Sequence, residues 1–162
     1  MKLDFYKYQG TGNDFVMIDN RSKSFPKENT NIIPKLCDRH FGIGADGVIL
    51  IENDTGFDFK MIYFNADGSQ TFCGNGGRCA VAFAKELKII NSKTNFSAFD
   101  GAHYATIEKD IISLKMKDVD EILVHENSIF ADTGTQHHVE LVDDLDNFPV
   151  FKKGKEIRYS YD

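Results

Sequence analysis

A glycine-rich turn that opens onto an apolar helix constrains this chain more than any other stretch. It reads Cys73-Gly74-Asn75-Gly76-Gly77-Arg78-Cys79, followed by the small and apolar residues Ala80 to Ala84 and by Leu87. Ala80, Ala82 and Ala84 alternate with Val81, Phe83 and Lys85, which spreads small or apolar atoms over several faces of a helix running from Gly74 to about Leu87. Such a helix lacks the single stripe that suits a surface position, so it calls for a sheet around it. Cys73 then stands at the helix N-terminus. First-turn N–H groups have no intrahelical partner there and favour a thiolate or a bound anion.

The flanking sequence supplies the sheet. Residues 3–8 partly alternate and read as a strand, and a tight glycine connection through Gly10, Thr11 and Gly12 leads to a buried strand over 15–18, with Asn13 able to face a pocket. Ile32, Ile33, Leu36 and Cys37 have helical spacing between about Thr30 and His40, with Pro34 early enough for a first turn. Cys37 falls on the apolar stripe as a core thiol. A turn over 42–47 enters a strand over 48–51, and a further strand over 57–64 delivers Asn65 at its end. The glycines of that turn follow a helix and precede a strand, the wrong order for a dinucleotide loop. Strands follow over 95–99, 103–108, 111–116, 122–125 and 136–142, with Lys109-Asp110 as a hairpin connection. Residues 143–149 form a polar turn, and 152–162 hold too little apolar material for a core of their own. The pattern is mixed α/β, without the regular alternation of a doubly wound sheet.

At 162 residues the chain can build one substantial core or two small joined units. Its three cysteines, at 37, 73 and 79, show no disulfide spacing, and no second pair follows Cys73 and Cys79 to make a zinc cluster. With neither a leader-like apolar stretch nor one of membrane length, a reducing cytoplasmic setting is the simplest reading. A net charge of -6 without a basic stripe argues against nucleic acid. Lys152, Lys153 and Lys155 read as a solvated face. For Cys73, His137 and His138 are the base candidates that acyl transfer would need. A thiolate facing a second acid across a substrate carbon would instead suit proton abstraction and return.

Four stretches together resemble the diaminopimelate epimerase family: Gly10-Thr11-Gly12-Asn13-Asp14-Phe15; Arg39-His40-Phe41-Gly42-Ile43-Gly44-Ala45-Asp46-Gly47; Phe64-Asn65-Ala66-Asp67-Gly68-Ser69; and Cys73-Gly74-Asn75-Gly76-Gly77-Arg78. The resemblance covers nearly the whole chain and about the first half of a usual family enzyme. It implies a curved mixed sheet wrapped around a central helix, one half of a pseudo-symmetric fold with the substrate cleft between two related domains. On that basis residues 1–126 are expected to form the N-terminal epimerase domain, and 127–162 the crossover and start of an incomplete second domain.

The resemblance also implies interconversion of LL- and meso-2,6-diaminopimelate by two cysteines, with no pyridoxal phosphate, other cofactor or metal. Cys73 corresponds to one of the catalytic pair. Gly74 and Asn75 correspond to backbone contacts for the substrate α-carboxylate, and Asn13 and Asn65 to residues that shape the cleft. Gly134-Thr135-Gln136-His137 stands where the family commonly has glycine, asparagine, proline and histidine, so that Thr135 offers a hydroxyl in place of a substrate-binding amide. Neither Cys37 nor Cys79 matches the second catalytic cysteine. The chain is therefore read as a partial epimerase, inactive alone, lacking its C-terminal domain and able to form a homodimer through the face this leaves. A related amino-acid racemase, a noncatalytic amino-acid-binding or assembly domain, and a cysteine hydrolase are the alternatives.

Overall fold

A computed structural model describes residues 3–29 and 31–160. The expected helix start at Thr30, the opening Met1-Lys2 and the last two residues of the 152–162 segment lie outside the described residues. Contacts group the chain into two units: Met1–Asp118 with Thr133–Thr135, and Val119–Asp132 with Gln136–Asp162.

The first unit holds seven strands in sequence order across one sheet: β1 (Tyr6–Gly10), β2 (Asn13–Asp19), β3 (Gly47–Glu52), β4 (Phe59–Asn65), β5 (Lys93–Ala98), β6 (Gly101–Glu108) and β7 (Ile111–Leu114). β2 with β3 and β4 with β5 are parallel pairs and the rest are antiparallel, so the sheet is mixed. Among the described residues, two helices accompany it, α1 (Ile32–Cys37) and α2 (Gly74–Glu86).

Helix α2 packs against both edge strands, β1 and β7, as well as against β2, β3 and β4. Seven flat strands would span roughly 29 Å from edge to edge, whereas a helix with its side chains is about 10–12 Å across. One helix can touch both edges only if the sheet curls around it. The expected curved mixed sheet around a central helix is the observed fold.

Strand alternation separates two cores. Phe15, Met17, Ile49, Ile51, Phe59, Met61 and Tyr63 point inward with Cys79, Ala80, Val81, Phe83 and Ala84 of α2. Val16, Ile18, Val48, Leu50, Ile62 and Phe64 point to the outer face, where Phe25 and the Ile33 and Cys37 side chains of α1 cover them. Both faces of the central strands are thus buried, which is why 15–18 and 48–51 read as unbroken apolar runs. Cys37 and Cys79 are core thiols, as the helical spacing of Cys37 predicted for it, with relative exposures of 5% and 4%.

The start of α2 sits close against its surroundings. A Cβ on Gly76 would come within 3.1 Å of Ile49 Cδ1, and one on Gly77 within 3.0 Å of Leu114 Cδ2 and 3.1 Å of Phe72 Cζ. Between β1 and β2, Thr11 and Gly12 both have positive φ, 56° and 86°, the signature of a two-residue type I′ turn. That turn sets Asn13 as the first residue of β2, opposite Gly10.

The second unit has an antiparallel sheet of β8 (Ile122–Val124), β9 (Ile129–Asp132) and β10 (Gln136–Val139), with β9 in the middle. β9 and the helix α3 (Val150–Arg158) were not foreseen. β9 is four residues long and follows a turn without glycine or proline, closed by His125 N–H donating to Ser128 O at 2.8 Å. Helix α3 has a glycine within it and no side-chain N-cap, and Val150, Phe151 and Ile157 are its apolar residues, so it carries few of the signals by which helices are read.

Phe83 is fully buried and its ring lies 4.9 Å from that of Tyr6 and 5.7 Å from that of Tyr8. Phe83→Ala is expected to lower unfolding free energy by about 3–5 kcal/mol in urea melts of the chain. A loss below about 1 kcal/mol would mean that the sheet does not enclose this helix.

Candidate active site

Cys73 is the N-cap residue of α2, with φ −130° and ψ 118°, and its sulfur accepts a hydrogen bond from the Gly76 N–H at 3.5 Å. The sulfur thereby takes the place that a serine or aspartate oxygen usually fills at a cap. The Gly77 N–H closes on the Cys73 carbonyl at 2.7 Å. Among the described residues, the N–H groups of Gly74 and Asn75 donate to no protein acceptor. One half-buried helix turn therefore presents a thiol beside two free donors, at the positive end of a 13-residue helix.

Asn13 meets this turn from the β1–β2 hairpin. Its Oδ1 accepts from the Cys73 thiol at 3.5 Å and from Asn75 Nδ2 at 3.5 Å, while its own Nδ2 donates to Asp46 Oδ2 at 2.8 Å. Asn75 Oδ1 accepts in turn from Arg78 Nη2. Asn13, Cys73, Gly74 and Asn75 are thus drawn into one cluster. Among the described residues, the hydrogen-bond partners of the thiol are an amide oxygen and a backbone N–H.

Asn65 belongs to a neighbouring set at the end of β4. Its Oδ1 accepts from the Tyr63 hydroxyl at 2.7 Å, and its Nδ2 donates to Ser69 Oγ at 3.0 Å and Thr71 Oγ1 at 3.2 Å. Thr71 lies two residues before Cys73, so Asn65 ties the strand end to the segment that enters α2. Burial pushes the Tyr63 phenol well above its ordinary range, keeping it a hydrogen-bond donor. Thr135 acts on the same entering segment: its hydroxyl donates to the Phe72 carbonyl at 2.8 Å. The Phe72 ring stacks 3.9 Å from that of His103, whose Nε2 pairs with Asp100 Oδ1 at 2.8 Å. Cys73 is therefore approached by a backbone fixed through both ring and carbonyl.

A charged layer supports the cluster. Arg39 Nη2 donates to Asp14 Oδ1 and to Asp46 Oδ1, both at 2.8 Å, and Lys7 Nζ donates to Asp14 Oδ2 at 2.7 Å and to the Gly44 carbonyl. The Arg39 guanidinium first, with Lys7 beside it, holds the Asp14 carboxyl well below the usual carboxylate range against a smaller opposing effect of burial. Asp14, Arg39, Asp46 and Tyr63 carry this support, and none was singled out from the sequence. The signal of Asp14, Arg39 and Asp46 was present in the stretches 10–15 and 39–47, but pairing them requires the parallel register of β2 with β3.

The other thiols have a different character. Burial pushes Cys37 up to about 11 and Cys79 up to about 11, which keeps both as thiols rather than thiolates near neutrality. His138 Nε2 pairs with Glu140 Oε1 at 2.8 Å. Among the described residues no cluster of histidine, cysteine and carboxylate side chains could hold a metal ion, and no helix is long and apolar enough to cross a membrane.

The family model for diaminopimelate epimerase matches residues 5–119, the span that builds the curved sheet, α2 and this cluster. The chain belongs to the diaminopimelate epimerase family. It is 64% identical to a diaminopimelate epimerase of Flavobacterium psychrophilum over 99% of its own length and 62% of that protein. It is 37% identical to one of Aquifex aeolicus over 97% of its length and 63% of that protein. The chain thus spans a little under two thirds of these epimerases. In fold it resembles a Bacillus anthracis phenazine biosynthesis protein of the PhzF family, with a TM-score of 0.70 at 15% identity over 97% of this chain and 64% of the other. It also resembles a hydroxyproline epimerase from Agrobacterium vitis, with a TM-score of 0.61 at 12% identity over 96% of this chain and 59% of the other.

Because Asp14 has a depressed folded-state pKa, it stabilises the fold above the unfolded aspartate value of about 3.9, and this contribution is lost as pH falls through the folded value. The stability margin of the unsubstituted chain over Asp14→Asn should therefore be level from pH 7 to about 5 and shrink below about 4. Urea melts of both chains across this range check it. A margin that grows in acid would contradict the assignment.

Proposed function

We propose that this chain carries one of the two thiols of a diaminopimelate epimerase that interconverts LL- and meso-2,6-diaminopimelate without a cofactor. The observation that carries the proposal is the first turn of α2, where one thiol and two unpaired N–H groups converge on the same space. The substrate α-carboxylate binds to the Gly74 and Asn75 N–H groups, which brings the α-carbon over the Cys73 sulfur. As thiolate, Cys73 takes the α-proton and becomes a thiol. The electron pair left on carbon is stabilised as the carboxylate gains negative charge against the donors and the helix dipole. A second thiol, on the opposite face of the carbon, delivers its own proton and becomes the thiolate. The product has inverted configuration, and the two sulfurs have exchanged protonation states.

Asn13 and Asn65 shape the cleft. Asn13 holds the sulfur in line, and Asn65 fixes the strand end from which the helix is entered. Thr135 braces Phe72, the residue before Cys73, at the edge of the cleft where the substrate binds. The second thiol comes from a second domain of the same kind, because Cys37 and Cys79 are buried in the core. The 162-residue chain assayed alone is accordingly expected to give little or no epimerisation.

Conversion of LL-diaminopimelate, with solvent deuterium entering at the α-carbon, is the test in the protein that unites this chain with a second such domain. Cys73→Ala is expected to lower kcat by about 10²–10⁴-fold. Full activity in Cys73→Ala would overturn the role of that residue. Rapid conversion by the mass-verified chain alone would overturn the two-domain reading, and conversion only of other amino acids would reassign the substrate.

A further inference from the structure

The cluster contains one contact whose direction is decided away from the sulfur. A carboxylate can only accept hydrogen bonds, whereas an amide offers an acceptor at one end and donors at the other. Asp46 Oδ2 faces Asn13 Nδ2 at 2.8 Å and also accepts from the Asp14 N–H at 3.2 Å. Rotating the Asn13 amide by half a turn would set oxygen against oxygen. Asp46, with the longer contact from Asn75 Nδ2 to Asn13 Oδ1 at 3.5 Å on the same side, therefore fixes which end of Asn13 meets Cys73, and that end is the acceptor, 3.5 Å from the sulfur. Asp46 is itself held by Arg39 at its other oxygen and by its own N–H donating to the Asp14 carbonyl at 2.9 Å.

The two contacts to the sulfur oppose one another. The Gly76 N–H favours the thiolate, while the Asn13 oxygen accepts from S–H and favours the thiol. We propose that Asp46 is a positioning residue that acts through the Asn13 amide to present a hydrogen-bond acceptor, rather than a donor, to the Cys73 sulfur. This deepens the proposed function, since it assigns how one hydrogen bond to the reacting sulfur is directed. With Asp46 made neutral, only the 3.5 Å contact from Asn75 Nδ2 still opposes the flip, and the amide can turn its N–H toward the sulfur and support the thiolate.

The charged and titratable groups around this relay are Asp14, Lys7 and Arg39 beside Asp46, Arg78 beside Asn75, and Tyr63 and Cys79 near Cys73. Removing the Asp46 charge would by itself favour a thiolate through space, so the test must separate that direct effect from the route through Asn13. The 162-residue chain is alkylated with iodoacetamide between pH 6 and 9, and the Cys73 peptide is quantified by mass spectrometry. Asp46→Asn is expected to raise the Cys73 rate near neutrality roughly fivefold, the size of one modest hydrogen bond. In an Asn13→Ala background the same substitution should change the rate less than about twofold. An equal effect in both backgrounds, or none in the first, would overturn the proposal.

The side-chain amide of Asn13 in the unsubstituted chain gives a second readout that does not depend on the variants folding. One of its N–H protons should be shifted downfield and slowed in exchange relative to exposed asparagines, and exchange as fast as theirs would overturn the proposal. Neither measurement uses turnover. Failure here leaves the epimerisation assay to stand or fall by itself.

Discussion

Everything at the candidate site depends on the burial of α2 within the curl of one sheet. A sheet wraps a helix closely only where the helix offers little bulk, and Gly76 and Gly77 provide that opening against Ile49, Met61, Leu114 and Phe72. Farther along, Ala80, Val81, Phe83 and Ala84 fill the interior. The packing fixes the helix axis and so fixes where its N-terminus points. Cys73 inherits its position from this arrangement: it caps a helix that both edges of the sheet hold, and its approach is braced at Phe72 by His103 and Thr135. The free N–H groups of Gly74 and Asn75 are a consequence of ending a helix there, and the enclosure keeps them beside the sulfur.

Around that turn the polar groups form two connected layers. Asn13 and Asn75 touch the reactive turn, and Asp46, Asp14, Arg39 and Lys7 lie behind them. Many of these charges are partly exposed, so each ion pair contributes little to stability alone. Their larger effect is orientational. A carboxylate facing an amide admits one rotamer of that amide, which converts a surface charge cluster into a defined hydrogen-bond direction at the thiol. Asn65 is oriented in the same way, with the Tyr63 hydroxyl on its oxygen and Ser69 and Thr71 on its nitrogen.

The central helix, its enclosing sheet and the place of Cys73 were legible in the sequence because each has a strong local signal: continuous apolar runs for strands buried on both faces, glycines before a helix, and small residues around it. The buried position of Cys37 followed from its helical spacing. The support for Asn13 was not legible. Asp46 lies 33 positions away and reaches it only through the register that sets Phe15 beside Gly47. Strand β9 escaped because its turn has no glycine or proline, and α3 because it holds a glycine and no side-chain N-cap. Thr135 was read as a cleft residue, and its bond to the Phe72 carbonyl could not be foreseen from so distant a position.

The account turns on the first turn of α2 serving as both thiol site and carboxylate receptor, and a crystal structure with diaminopimelate bound tests this most directly. It predicts one α-carboxylate on the Gly74 and Asn75 N–H groups, with the Cys73 sulfur within about 3.5 Å of the α-carbon and aligned with its C–H bond. A carboxylate bound elsewhere, with Cys73 turned away from the α-carbon, would contradict it.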